Sequence, residues 1–568
     1  MTFEIKINCS KCVKDLHDEC QNKNCLCRDN NHGKKERDLT DSINEFIDAV
    51  ESTAPQRVLT AKKRIVKHGR QIEQIEKYLN SIIKLDPRLV KLLVREYFSS
   101  YTNNPINTAI LAPSSEGKTF ATVEVSKIFS EKDIIRIGRL SPTALIHQEG
   151  FYIDEDGNNI EEEVYSLDEK IINAKGKELH ELKKEKNNLI KQARICVDLT
   201  HKTLLFLDNP SPATFEILKP IMSHDVKEIT YMTTGDKLKV RKSVIRGWAS
   251  FIFCSAKNEE EHEVWKEIKT RVVVTAPNSD VAKYAAANKA TALKLSRPSW
   301  AADLDAVEAE KWARFYVKEL KSRLVEQCKE DNNPIINVFD APLANLFSSK
   351  EGIDMRHFHR LMDFIHLETL INSEYNPELI FEHKDGRTVK SIFTTVDDID
   401  AACDVLGGIS TIDAEKIKFY LNVFKTTVAD TINEDSVTTK QLAEVYTLVT
   451  GKPTTPKRIL ENYCKPLTAA GIFSVEKNPK NESQNLYFDS SDVTIHTLDK
   501  LKSNLIETST HDFSFMDSCL VELEKVSRGI RNSPISYRYE GKDIDLVTLK
   551  EILLGNSRNQ SKPLGNGH

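Results

Sequence analysis

The sequence predicts an α/β fold in which a phosphate-binding core is followed by a helical lid, with a metal-binding segment at the start and a helix–helix–hairpin domain near the end. Three observations predict it. The runs Thr108-Ala109-Ile110-Leu111, Leu204-Leu205-Phe206-Leu207, Phe251-Ile252-Phe253-Cys254 and Val272-Val273-Val274 are short and wholly apolar, the pattern of parallel strands buried on both faces. The first run leads directly into Ala112-Pro113-Ser114-Ser115-Glu116-Gly117-Lys118-Thr119 and then a helical segment, Phe120 to Phe129. The first thirty-odd residues are dense in cysteine and histidine and poor in apolar side chains.

The phosphate loop is the firmest element. In A-x4-G-K-T between a strand and a helix, backbone N–H groups at the helix start cradle phosphates, Lys118 reaches the β/γ oxygens and Thr119 ligates magnesium. Ala112 stands where glycine is commoner, a mild departure because the steric demand falls on Gly117. A second apolar strand ends in Asp208, placed to hold magnesium through water, but the next residue is Asn209 where many ATPases carry a glutamate. ATP and Mg2+ binding is therefore expected more firmly than hydrolysis.

Cys9, Cys12, His17, Cys20, Cys25, Cys27 and His32 suit tetrahedral zinc, whose binding would replace the missing core. Seven candidates leave one or two Zn2+ ions open. Five of the eleven cysteines lie in this segment and the rest are scattered, which argues for metal over disulfides.

At 568 residues the chain exceeds one core, and its charged share of 29% and net charge of -5 exclude a uniformly basic surface, so any nucleic-acid contact must be local. Met1 to Lys6 hold no signal-like apolar run and no stretch is long enough to span a membrane, which predicts a cytoplasmic protein. The expected organisation is a zinc segment over 1–33, a helical region over 34–104, the core over 105–280 and a helical lid over 281–405. A further domain follows over 406–500, then a helical extension with a flexible tail over 501–568. Ser166 to about Arg194, opened by Ser166-x-x-Glu169 with Leu179, Leu182 and Leu189 on one stripe, is expected as a long inserted helix or coiled-coil arm at about 166–194. Thr438 to Leu448, Lys457 to Ala470 and Ile472 to Phe488 read as the helices and wing of a winged helix, with Lys457, Arg458 and Lys465 on its candidate recognition helix.

From Asn107 to Asp404 the order of these features resembles the AAA+ ATPases of the group holding minichromosome-maintenance and superfamily 3 helicases. Before the Phe251 strand, Glu228-Ile229-Thr230-Tyr231-Met232, a Thr234-Gly235-Asp236 turn and Lys237 to Lys242 alternate as a β-hairpin, with Lys237, Lys239 and Arg241 on one face and Lys242 beside them. The resemblance implies that this hairpin grips DNA phosphates; a solvated edge is the alternative. It also implies a sensor at Ser255 or Asn258, an arginine finger at Arg271, and a second-sensor arginine at Arg356 or Arg360. Together these imply a DNA-dependent ATPase, a ring-forming helicase or translocase of the replication type. An ATP-switched initiator or loader and a nucleotide-gated winged-helix transcriptional regulator are the alternatives.

Overall fold

The computed structural model describes residues 69–140, 150–234, 240–255, 270–278, 280–296, 304–329, 334–346, 352–406, 416, 419–430, 436–469, 473–478, 481–489 and 514–555. Contacts divide the chain at Arg70/Gln71, and apart from Gly69 and Arg70 every described residue belongs to the second unit. The seven Cys/His zinc candidates, Lys237, Lys239 and Asn258 lie outside the described residues.

Helices α1 (Gln71–Ile82) and α2 (Pro87–Ser99) precede β1 (Thr108–Leu111). Next come α3 (Lys118–Ser126), β2 (Ile134–Ile137) and β3 (Phe151–Ile153), then α4 (Glu161–Asn173), α5 (Gly176–Gln192), β4 (Arg194–Asp198), β5 (Thr203–Phe206) and α6 (Pro212–Met222). Strands β6 (Glu228–Thr234), β7 (Val240–Arg246), β8 (Ser250–Ser255) and β9 (Val273–Thr275) complete the core. Its main sheet runs β2-β5-β8-β1-β9 and is parallel throughout. Burial on both faces explains the unbroken apolar runs: β1, β5 and β8 are buried at every residue, with Phe206 and Phe251 at the centre of the core. Helix α2 packs on α3 and β8, and Tyr97 stacks on Phe129 at 4.9 Å.

A second sheet, β3-β4-β7-β6, stands beside the first. Sequence reading places only a free hairpin here. In the structure β7 is flanked on one side by β4 in parallel and on the other by β6, so of the hairpin's two strands only β6 is an edge. Gly247, where β7 ends, needs its φ of +82°, and an added Cβ would stand 2.1 Å from the Thr200 hydroxyl oxygen.

The inserted segment is not one long helix but two helices packed as an arm. Helix α4 begins at Glu161, where three glutamates favour the positive helix end and the Asn159 side chain accepts the Glu161 N–H at 2.9 Å, so Ser166 lies inside the helix and caps nothing. The chain turns extended at Ala174 and Lys175, and Gly176 at φ +64° opens α5, which folds back on α4 with a Lys186–Asp168 ion pair.

Helices α7 (Val281–Leu295), α8 (Leu304–Gln327) and α9 (Gly352–Ile371) follow, with β10 (Ile335–Ile336) between the last two. Then come β11 (Glu378–Glu382), β12 (Thr388–Phe393) and α10 (Val396–Leu406). The lid is thus not wholly helical, and its sheet extends to β16 (Ser536–Tyr539) and β17 (Lys542–Ile544) from the chain's last segment, in the order β10-β12-β11-β16-β17. That segment is likewise not only helical. Ahead of it, β13 (Ser436–Thr438), α11 (Thr439–Thr450), a helical stretch from Pro456 to Ala469, β14 (Phe473–Asn478) and β15 (Asn481–Asp489) form a helix–helix–hairpin unit with its own core around Phe419, Tyr420 and Tyr463. A capping box starts α11, Thr438 and Gln441 each satisfying the other's backbone N–H. Buried Arg95 of α2 bonds Glu368 of α9 at 2.6 Å and Glu76 of α1, locking the helices before β1 to the lid.

Candidate functional site

In a parallel sheet all strands end on the same edge, so the residues after β1, β5 and β8 converge. After β1 the loop turns through two left-handed residues, Ser115 at φ +71° and Gly117 at +83°. Gly117 is the N-cap of α3, leaving the first amides of that helix facing the loop. Lys118 is buried at 9% exposure, and its Nζ donates to the carbonyls of Ala112 at 2.6 Å and Pro113 at 2.8 Å. Pro113, Ser114, Ser115 and Thr119 are exposed around it. A buried ammonium bonded to loop carbonyls beside free helix amides suits a phosphate, so this donor set fits ATP.

Asp208 follows β5 exposed on the same edge, and its carboxylate accepts the N–H of Asn209 at 2.8 Å. Between them β8 ends at buried Ser255, whose carbonyl accepts the Ala112 N–H at 3.3 Å. The geometry thus sets Ser255 between the phosphate loop and Asp208.

Sequence reading missed a brace on this edge. Tyr284 of α7 donates to the Glu116 carboxylate at 2.6 Å, and that bond holds the phenol up at about 12. Neighbouring Lys283 pairs with buried Asp86 at 2.6 Å, and Asp86 also accepts the Asn278 N–H at 2.9 Å. No local pattern marks these residues, because the partners are 168 to 197 positions apart.

The arginines gather on the opposite edge. Asn107, just before β1, donates to the carbonyls of Met222 at 3.0 Å and Arg271 at 3.4 Å, and its Oδ1 accepts the Phe251 N–H at 3.1 Å. Arg271 donates through Nε to Ser223 at 3.0 Å, and Arg356 of α9 bonds the Thr270 hydroxyl. With Arg360, His359, His224 and Trp248 they line a cavity of about 1010 Å³. Burial, with Arg356 alongside, lowers the Arg360 guanidinium to about 10 and burial raises Asp363 to about 6. Burial likewise depresses His224 to about 4, its Nε2–H donating to the Ala249 carbonyl at 3.0 Å. The four residues of β1 separate this edge from the phosphate loop by roughly 13 Å at about 3.3 Å per residue. Arg271, Arg356 and Arg360 therefore do not join Lys118 within one chain.

In the hairpin, the backbone of Arg241 pairs with Thr233 and that of Lys242 with Met232. Lys457 and Arg458 are exposed on their helix, and Lys465 bonds Glu461 at 2.8 Å. Among the described residues no helix is long and apolar enough to cross a membrane, and no cluster of His, Cys, Asp and Glu could hold a metal ion.

No family model matches the chain, and no curated protein matches it. Among solved structures it is similar to an Orc1 protein of Aeropyrum pernix in complex with DNA, at 12% identity over 75% of this chain and 93% of that one, with a TM-score of 0.19. A likeness at that score carries no argument about function.

Proposed function

We propose that the protein is an AAA+ ATPase acting on DNA, whose catalytic sites are completed between copies of the chain. The observation that carries this reading is the division of one sheet into a phosphate-binding edge and an arginine edge. Lys118 and the first amides of α3 would neutralise the β/γ oxygens; exposed Thr119, and Asp208 through water, would hold magnesium. Magnesium, when bound, draws charge from those oxygens. Ser255, or Asn258 beyond it, would orient the attacking water. Arg271, with Arg356 or Arg360 as second sensor, would meet the γ-phosphate of a neighbouring copy in a ring.

Lys237, Lys239, Arg241 and Lys242 are the proposed phosphate contacts of the hairpin, whose paired strands β6 and β7 belong to the four-stranded sheet. The helix–helix–hairpin unit is proposed as a winged helix offering Lys457 and Arg458 to DNA or to a partner protein. The Cys9 to His32 segment is proposed to bind one or two zinc ions, and the protein to work in the cytoplasm.

The preferred role is a helicase or translocase. One observation favours an ATP-switched initiator or loader instead: Asn209 follows Asp208 where many ATPases carry the glutamate that polarises water. ATPase activity with and without single-stranded DNA, followed by strand displacement on a forked duplex, tests the choice. Stimulated turnover with displacement is the expected result; ATP binding with neither would establish the switch.

A further inference from the structure

A cavity of about 970 Å³ adjoins the phosphate loop on the side away from Asp208, and Ala112, Pro113 and Glu116 form one end of it. One long wall belongs to the core: Leu85, the turn after β9, and Val281 and Tyr284 of α7. That wall is fixed by the Asp86–Lys283 pair and the Tyr284–Glu116 bond. The facing wall belongs to the helix–helix–hairpin unit, from Tyr446, Val449 and Lys452 backed by Phe419 and Tyr463. Those aromatics are packed in place, with Phe419 stacked on Tyr463 at 4.2 Å and the Tyr463 hydroxyl donating to that of Tyr446 at 3.3 Å.

Both walls expose apolar side chains to this space. Leu85 is 53% exposed, Val281 77%, Val449 48% and Tyr284 37%. Each lies on an ordered turn or helix where a solvated position would accept a polar residue at no cost to the fold. All four line the same cavity, which suits an occupant with apolar faces. A triphosphate held at Gly117 and Lys118 would extend its sugar and base away from α3, and the cavity begins where the loop ends. The volume is at the upper end of the range for small-molecule sites, larger than one nucleoside requires. The walls can therefore draw together when it is filled.

We infer that the base and ribose of a bound nucleotide lie between the core and the helix–helix–hairpin unit, so that this unit closes on the nucleoside and reports its presence. The inference rests on the phosphate loop being a nucleotide site, as proposed above. Because the ligand touches both walls, nucleotide affinity and the closure of the unit are linked, and each strengthens the other by the same factor.

The test uses the full-length protein, titrated calorimetrically with ATP and with inorganic tripolyphosphate, which has the phosphates and no nucleoside. Val449→Gln and Val281→Gln, both at exposed helix positions, replace one apolar contact on each wall. Their combination is expected to weaken ATP binding roughly tenfold and tripolyphosphate binding less than about twofold. Hydrogen exchange over residues 443–452 is expected to slow with ATP and not with tripolyphosphate. Unchanged ATP affinity in the double variant overturns the inference, as does equal weakening of both ligands or exchange that ATP leaves unaltered. If the unsubstituted protein binds neither ligand, the nucleotide site itself is refuted and the inference falls with it.

Discussion

The two edges of the main sheet use the same strands for opposite purposes. Where β1, β5 and β8 end, the chain presents exposed loop residues, a left-handed glycine, the buried Lys118 ammonium and the exposed Asp208 carboxylate. Where β1, β8 and β9 begin, it presents bulky and cationic side chains around a cavity, with Asn107 pinning the segments together. A parallel sheet keeps these sets apart by the full length of its strands, and helix packing cannot bring them together. If Arg271 responds to a γ-phosphate, that phosphate must then be held by another copy. On the proposed reading each edge is half a site, completed by assembly.

The comparison breaks most visibly if the first edge does not hold phosphates. Lys118→Ala is expected to weaken ATP binding by about a hundredfold or more, the scale of losing a charge-assisted contact in a buried setting. The fold should survive, because Lys118 bonds only to loop carbonyls among its recorded partners. Calorimetry and a melting curve check both; ATP bound at full strength by the variant would remove the loop from the site.

Arg271→Ala probes the other edge. Nucleotide binding should be unchanged while turnover falls by roughly a thousandfold, the lower end of the effect of an arginine finger. Mixing Arg271→Ala with Lys118→Ala should restore part of the activity, because one copy supplies an intact loop and the other an intact arginine. A mixture that co-assembles and stays inactive would show that Arg271 only ties its strand to Ser223.

These edges were unequally legible in the sequence. The phosphate loop is eight consecutive residues with a local conformation, so its pattern survives without knowledge of the fold. The arginine edge joins residues 86 positions apart through an Arg356–Thr270 bond, and only tertiary structure shows that Arg356 stands beside Arg271, away from Lys118. The second sheet was missed for a related reason: β3 has three residues, and β4 finds its parallel partner β7 only after more than forty intervening residues. The break between α4 and α5 was marked by Gly176, but the regular leucine spacing outweighed it. The lid's strands β11 and β12 form a local hairpin across Asp385-Gly386 that was open to sequence reading and went unread; only β16, more than 150 residues later, is a distant partner.

A smaller effect separates the edges by pH. His224 sits at the arginine edge with its folded value depressed to about 4 by burial, from an ordinary 6.5. The stability it contributes is present above pH 6.5 and is lost as pH falls from there toward about 4, because the unfolded chain takes the proton first. Asp363 in the same cavity, raised to about 6, works in the opposite sense, so the wild-type curve alone mixes the two. The difference between wild type and His224→Gln isolates the histidine. Wild type should lose on the order of 2 to 3 kcal/mol relative to the variant between pH 7 and pH 4 in denaturant melts. Parallel curves would mean that His224 titrates normally.

The smallest expected effect tests whether the phosphate edge is preset by its brace. Tyr284 reaches from α7 to the Glu116 carboxylate at 2.6 Å, and with its phenol held up at about 12 it remains a donor throughout the working pH range. Tyr284→Phe keeps the ring in the cavity beside the loop and removes only that donor. The bond is largely exposed, so its loss should be modest: ATP affinity reduced by less than about fivefold, as expected for a partly solvated charged contact. Tripolyphosphate should weaken by the same factor, because the bond orders the loop that holds the phosphates and the ring remains for the nucleoside. That equality separates this variant from Val449→Gln, whose effect is confined to ATP. If Tyr284→Phe weakened ATP alone, its hydroxyl would be contacting the nucleoside directly, and Glu116 would be left to position the loop without help from α7.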